Sequence, residues 1–174
     1  MRVVLFRHGP AGHADSERWP DDSLRPLTSR GIERTRFAAR GIAHLEPSLS
    51  VVFSSPFLRA LATAQLLADT LGEPQFETLE ALGAGGPSRP VLAALEKLQP
   101  DLVVALVGHE PDLGILAARL IGASSPLALK KSGACCIEFD AAPAIGQGTL
   151  RWFVPPRLLR RLGHGKTRLE ERRA

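Results

Sequence analysis

At 174 residues, 44% of them hydrophobic, the chain is long enough for one sizeable core and too short for two comfortable domains. Its formal net charge of +4 is unevenly placed: residues 157–174 hold seven of the 22 Lys/Arg and two of the 18 Asp/Glu, which leaves residues 1–156 with 15 against 16 and near neutrality. No run approaches the roughly 18 apolar residues of a membrane span, and the apolar run 3–6 is far too short for a secretory signal, so a soluble, intracellular (cytoplasmic) protein is expected.

Residues 3–6 (VVLF) form a continuous apolar run with β-branched members, the pattern of a short buried strand. The segment PAGHADSERWPDDSLRP that follows is rich in Gly, Pro, Asp and Ser and reads as a loop. Thr28 then has the character of an N-cap, and Ile32, Phe37, Ala38, Ile42 and Leu45 fall near helical spacing over residues 31–45. A second strand is expected at 49–53, with Ser54, Ser55 and Pro56 making the turn and the start of a helix that Gly72 stops. LGAGGPSRP is a loop, 91–98 a short helix, 101–107 (DLVVALV) the clearest buried strand, and 112–120 another helix. Residues 134–139 and 149–153 read as two further strands, placed antiparallel. Cys135 and Cys136, adjacent in the first of these, point to opposite faces, lack metal-ligand spacing and read as small buried hydrophobes.

Strands alternating with helices predict an α/β three-layer sandwich with a mostly parallel central sheet and helices on both faces. The expected domain covers residues 1–156, with a basic C-terminal tail at 157–174 that reads as a solvated helix end or frayed terminus. That tail has no interleaved aromatics, a poor footprint for nucleic acid. GHGKT at 163–167 ends like a phosphate-binding loop, but Arg160 stands where its first glycine is required and the match is chance.

In such sheets ligands bind outside the carboxyl ends of the strands. The first strand delivers Arg7, His8 and Gly9, the second delivers Arg59 through SSPFLR, and the third delivers His109 in VGHEP. If those strands are neighbours, two arginines and two histidines share one pocket. Two guanidinium forks match phosphate oxygens, and helix N-termini add backbone N–H groups. A neutral histidine there is a nucleophile, and nearby arginines disfavour its protonation. Gly9 lets the backbone approach a phosphate closely. His13, His44 and His164 have no comparable context and read as surface residues; no cluster has metal spacing.

RHG after the first strand, SSPFLRALATAQ, and VGH after a later strand together resemble the histidine phosphatase superfamily, the phosphoglycerate-mutase-like fold. The short chain and the run RPLTSRGIERTR resemble its small SixA-type phosphohistidine phosphatases. The resemblance spans residues 3–153. It implies that His8 is the phosphorylated nucleophile and that Arg7, Arg59 and His109 form the phosphate pocket, with Arg25 of RPLT at its rim. It also implies a metal-independent phosphatase without cofactor, acting on a phosphorylated protein of the histidine phosphotransfer type in bacterial signalling. Where many members place a general acid, the stretch TLEALGAGG offers only Glu80, one position away from the expected place. A phosphoramidate needs less help from an acid than an ester does, which favours phosphohistidine. A small-molecule phosphomonoesterase acting on a sugar or nucleotide phosphate remains the alternative, which Glu80 in the pocket would favour, and a non-catalytic phosphate-binding module is the third reading.

Overall fold

In the computed structural model, which describes residues 1–72 and 74–165, the run VVLF forms the interior of β1 (Arg2–Arg7), and all four of its side chains are fully buried. Burial on both faces requires a central strand, and β1 is one. It pairs in parallel with β4 (Val103–Gly108) and antiparallel with β5 (Ala134–Glu138). The remaining strands are β2 (Leu49–Ser54), β3 (Gln75–Thr78) and β6 (Thr149–Val154), and the sheet order is β3-β2-β4-β1-β5-β6. Pairing is parallel from β3 to β1, and β5 runs antiparallel to both of its neighbours. The sheet is mostly parallel, as expected of strands separated by helices.

Side chains alternate across this sheet with period two. Val3, Leu5, Val104, Leu106, Cys135 and Ile137 pack on one face against α3 (Ser88–Glu96) and α4 (Asp112–Ile121). Val4, Phe6, Ala105, Val107 and Cys136 pack on the other against α1 (Ser29–Leu45), α2 (Leu58–Leu71) and α5 (Pro156–Leu162). The result is an α/β sandwich of three layers. The two cysteines are free and buried, one in each core. Among the described residues no helix is long and apolar enough to cross a membrane.

Local signals set most element ends. Thr28 caps α1, its Oγ1 accepting from Gly31 N–H at 2.9 Å. Gly72 ends α2 with φ +74°. Two helix starts and one strand depart from the sequence reading, beyond shifts of one or two residues at other ends. Helix α2 starts at Leu58 rather than at Ser54–Pro56, because Ser54 still belongs to β2 and Ser55 N–H is bonded to Val107 O of β4 at 2.9 Å. Helix α3 starts a turn early, at Ser88, since a proline such as Pro90 needs no N–H partner in a first turn. Strand β3 has no counterpart in the sequence reading: it is an edge strand of four residues, three of them exposed.

The basic segment expected to begin at 157 starts as α5, docked on α1. Leu159 is fully buried, and a Cβ on Gly41 of α1 would lie 2.1 Å from Leu159 O, so the helix backbones meet where Gly41 leaves room. Residues 166–174, including Lys166 and Thr167 of GHGKT, lie outside the described residues.

Candidate active site

The parallel register places the carboxyl ends of β1, β4 and β2 side by side, with Arg7 opposite Gly108 and Ser54 opposite Val107. The residues that follow these strands therefore converge. His8 N–H donates to Gly108 O at 3.0 Å, and the rings of His8 and His109 stand 5.1 Å apart. Arg59, in the first turn of α2, completes the cluster, and all of these side chains line one cleft of about 350 Å³. Arg7, His8, Arg25, Arg59 and His109 are thus brought together. Gly9, expected to line a phosphate site, is buried and not among the residues lining the cleft; a Cβ there would meet Thr35 Oγ1 at 2.0 Å.

His8 is held as a specific tautomer. Its Nδ1 lies 2.7 Å from Gly9 O, and a carbonyl can only accept, so Nδ1 carries the proton. Burial, then the charges of His109, Arg59 and Arg7, push the His8 pKa down to about 3, against the opposing pull of Gly9 O. The ring is therefore neutral at pH 7, with its lone pair on Nε2. Burial, more than the arginines on which the sequence reading relied, is the leading cause. His109 is pushed down to about 4 by burial and then by Arg59.

The donors around these rings are incompletely used. Arg7 Nη1 donates to Leu129 O at 2.8 Å, and Arg59 Nη1 and Nη2 donate to Asp22 O at 2.7 Å and Asp22 Oδ2 at 2.9 Å. Nε of Arg7 and Nε of Arg59 are buried without a hydrogen-bond partner. His109 Nε2 is 2.8 Å from Ser55 Oγ, which accepts from Phe57 N–H at 3.2 Å. Donation of the Ser55 hydroxyl proton to Nε2 completes that set and leaves the His109 ring proton on Nδ1, which is also buried without a partner. Buried donors without acceptors are rare and call for an explanation. Here three of them belong to cleft-lining residues beside a neutral imidazole, a donor set suited to an anion.

Several residues reach the site without any local signal in the sequence. Asp22, in a 3₁₀ turn (Asp22–Leu24), braces both Arg59 and Arg25, taking Arg25 Nε on Oδ1 at 2.7 Å while Arg25 Nη1 donates to Gly12 O at 2.6 Å. Thr63 Oγ1 accepts from Gly9 N–H at 3.0 Å and donates to Arg59 O at 2.8 Å, tying the two halves of the site together. Glu110 and Lys131 line the cleft, as does the exposed His13, which the sequence reading left on the surface. Burial raises the Glu110 pKa, although Leu129 N–H donates to its Oε1 at 3.1 Å and Gly114 N–H bonds it as well. Glu80 does not line the cleft; it is exposed on a 3₁₀ turn (Glu80–Leu82) that buries Leu82 instead. Among the described residues no three His, Cys, Asp or Glu side chains are grouped to hold a metal ion.

Comparison with known proteins gives a consistent result. The family model of the histidine phosphatase superfamily (branch 1) matches residues 3–83. An uncharacterized protein of Picosynechococcus sp. is 36% identical over 146 residues, covering 82% of this chain and 87% of the relative. Phosphohistidine phosphatase SixA of Escherichia coli (strain K12) is 31% identical over 159 residues, covering 90% of this chain and 94% of the relative. The solved structure of the protein histidine phosphatase SixA complexed with tungstate matches with a TM-score of 0.79 at 31% identity, over 91% of this chain and 99% of that one. An RHG motif leaving a central strand, neighbouring strand ends that supply Arg59 and His109, and near full-length similarity at this level together place the chain in the histidine phosphatase superfamily.

Proposed function

We propose that the protein is a phosphohistidine phosphatase that hydrolyses phosphohistidine in proteins through a covalent intermediate on His8. The observation that carries this reading is the set of three unpartnered buried donors, Arg7 Nε, Arg59 Nε and His109 Nδ1, around a histidine whose Nε2 holds a free lone pair. Phosphoryl oxygens are the acceptors that such donors lack. In the first step the Nε2 lone pair attacks phosphorus in line and the bond to the substrate imidazole breaks; the substrate ring, protonated on its other nitrogen, keeps the bonding pair and leaves as neutral imidazole. In the second, water attacks phosphorus and passes a proton to a phosphoryl oxygen, while the His8–phosphorus bond breaks with its electron pair returning to Nε2, releasing phosphate and the neutral ring. The guanidinium groups and His109 stabilise the equatorial oxygens in both steps. No step calls for a metal ion, because these groups meet the phosphoryl charge.

Two features support a phosphoramidate substrate. The chain resembles SixA along nearly its whole length, and among the described residues the cleft offers no free carboxylic acid, since Glu80 is outside it and Glu110 is bound by two backbone N–H groups. An alkoxide leaving group depends on such an acid more than an imidazole does. The protein partner is then a histidine phosphotransfer protein of bacterial signalling, encountered in the cytoplasm. The small-molecule phosphomonoesterase reading draws on Glu110, whose pKa is raised, and it requires that carboxyl to leave its backbone partners.

The test is phosphate release, in the presence of a chelator, from a phosphohistidine protein and from p-nitrophenyl phosphate, comparing wild type with His8→Ala. Turnover of phosphohistidine that disappears in the variant, with weak ester activity, is the expected result. Strong ester turnover would favour the phosphomonoesterase, and silence on both substrates would favour a phosphate-binding module.

A further inference from the structure

The cleft contains a cation that no motif announces. Lys131 lines it together with Arg7, His8 and His109, whereas the adjacent Lys130 does not. The segment carrying Lys131 is bound to the catalytic strand end on both sides. Before it, Leu129 O accepts from Arg7 Nη1 at 2.8 Å and Leu129 N–H donates to Glu110. After it, Ser132 N–H is 3.2 Å from both Arg7 O and His8 O, Ser132 Oγ is 2.9 Å from Thr35 Oγ1, and Gly133 O accepts from Arg7 N–H at 3.1 Å. Ser132 is buried and left-handed, with φ +59°, so the chain kinks immediately beyond Lys131. The backbone of Lys131 is thereby fixed to the residues that hold His8.

Its side chain has no such ties. Lys131 is exposed and makes no ion pair or hydrogen bond among the described residues. A surface lysine usually sits near a carboxylate or in open water, but for this one partial desolvation of an otherwise exposed side chain and the guanidinium groups of Arg7, Arg25 and Arg59 all disfavour its charge. A cation whose charged influences are three other cations is stabilised when an anion arrives. The charges lining the cleft agree: Arg7, Arg25, Arg59 and Lys131 stand against the single carboxyl of Glu110, with both histidines neutral. The lining is therefore cationic, as a site for a phosphoryl dianion requires, and Lys131 supplies one of its four positive groups.

We propose that Lys131 is a fourth cation of the substrate site, its ammonium contacting the phosphorylated substrate at the mouth of the cleft. The inference rests on the phosphatase reading for the identity of the substrate, but not for the identity of the anion. Lying at the mouth, Lys131 acts on the ground state and the transition state alike, so its loss falls mainly on binding.

The experiment uses Lys131→Met and Lys131→Arg, first with inorganic phosphate as the titrant and then with the phosphohistidine protein as substrate. Lys131→Met is expected to weaken phosphate binding about tenfold and to raise KM by a similar factor, with Lys131→Arg within threefold of wild type. Rising ionic strength should weaken phosphate binding more steeply in wild type than in Lys131→Met, a difference that a merely structural role would not produce. Phosphate binding within twofold of wild type in Lys131→Met, with an unchanged salt dependence, overturns the proposal. Wild type that binds phosphate through Lys131 and turns over no phosphohistidine would leave this inference standing and remove the phosphatase reading instead.

Discussion

The rings of His8 and His109 stand 5.1 Å apart, tilted by 53°, and both are held neutral at the floor of the cleft. Two imidazoles so close could not both carry charge without repulsion. Their neutrality leaves one with a lone pair on Nε2 and the other with a ring proton to donate, which are complementary roles toward a phosphoryl group.

This pair gives the protein a defined response to acid. The folded values of about 3 and about 4 lie below the 6.5 of a free histidine, so between those limits the unfolded chain binds more protons than the folded one. The stability contributed by the two rings is complete above about pH 6.5 and is lost as the pH falls toward 4 and then 3. Denaturant titrations at pH 7, 6, 5 and 4 should show stability declining stepwise, while kcat shows no acid limb near 6.5. A kcat profile that halves near pH 6.5 would mean that the nucleophile titrates normally and would refute this account.

Ser55 orients His109. Ser55→Ala removes the partner of His109 Nε2 and the acceptor of Phe57 N–H, and it should lower kcat about tenfold at a stability cost of roughly 1–3 kcal/mol for the groups left unpaired. Nitrogen chemical shifts of the His109 ring report the tautomer directly; an unchanged tautomer with unchanged kcat would show that Ser55 plays no part in positioning.

Gly9 is required for steric reasons. A Cβ at this position would lie 2.0 Å from Thr35 Oγ1 and 3.2 Å from Leu27 Cδ2, so Gly9→Ala should destabilise the fold by about 1–3 kcal/mol and displace the His8 loop. The double variant Gly9→Ala/Thr35→Ala removes the nearest clashing atom and should recover part of both stability and turnover. Thermal melts and single-turnover rates of the three variants decide this, and no recovery in the pair would place the strain elsewhere.

Helix α5 belongs to the folded body. Leu159 is fully buried against the core that contains Ile42 and Phe6, so Leu159→Ala should cost about 2–5 kcal/mol in denaturant titrations. Because Leu159 packs in the core beside α1 and does not line the cleft, the folded fraction should keep its kcat. A loss below 1 kcal/mol would mean that the helix docks only loosely.

Much of this could be read locally. The apolar run VVLF, the Thr28 cap and the Gly72 stop are encoded within a few residues of where they act, and each forms as the spacing predicted. Strand β3 escaped because an edge strand of four residues, mostly solvent-exposed, carries neither a long apolar run nor a clear alternation. Ser55, within SSP, had a local signal in its position just before a helix start, whereas Asp22, inside a polar loop, had none.

By itself the sequence determined which residue types leave the strand ends: Arg7 and His8 from one strand, Arg59 from the turn after another, His109 from a third, on segments whose periodicity is a local property of the chain. Only the tertiary structure decided that Glu80 turns outward, that Asp22 braces two arginines, and that Lys131 is bound beside His8 from more than 120 positions away in sequence. The physical reason is that periodicity reports which face of an element is buried, whereas strand order and the path of loops depend on which faces meet. The opposition of charges across the cleft exists only once that packing is complete.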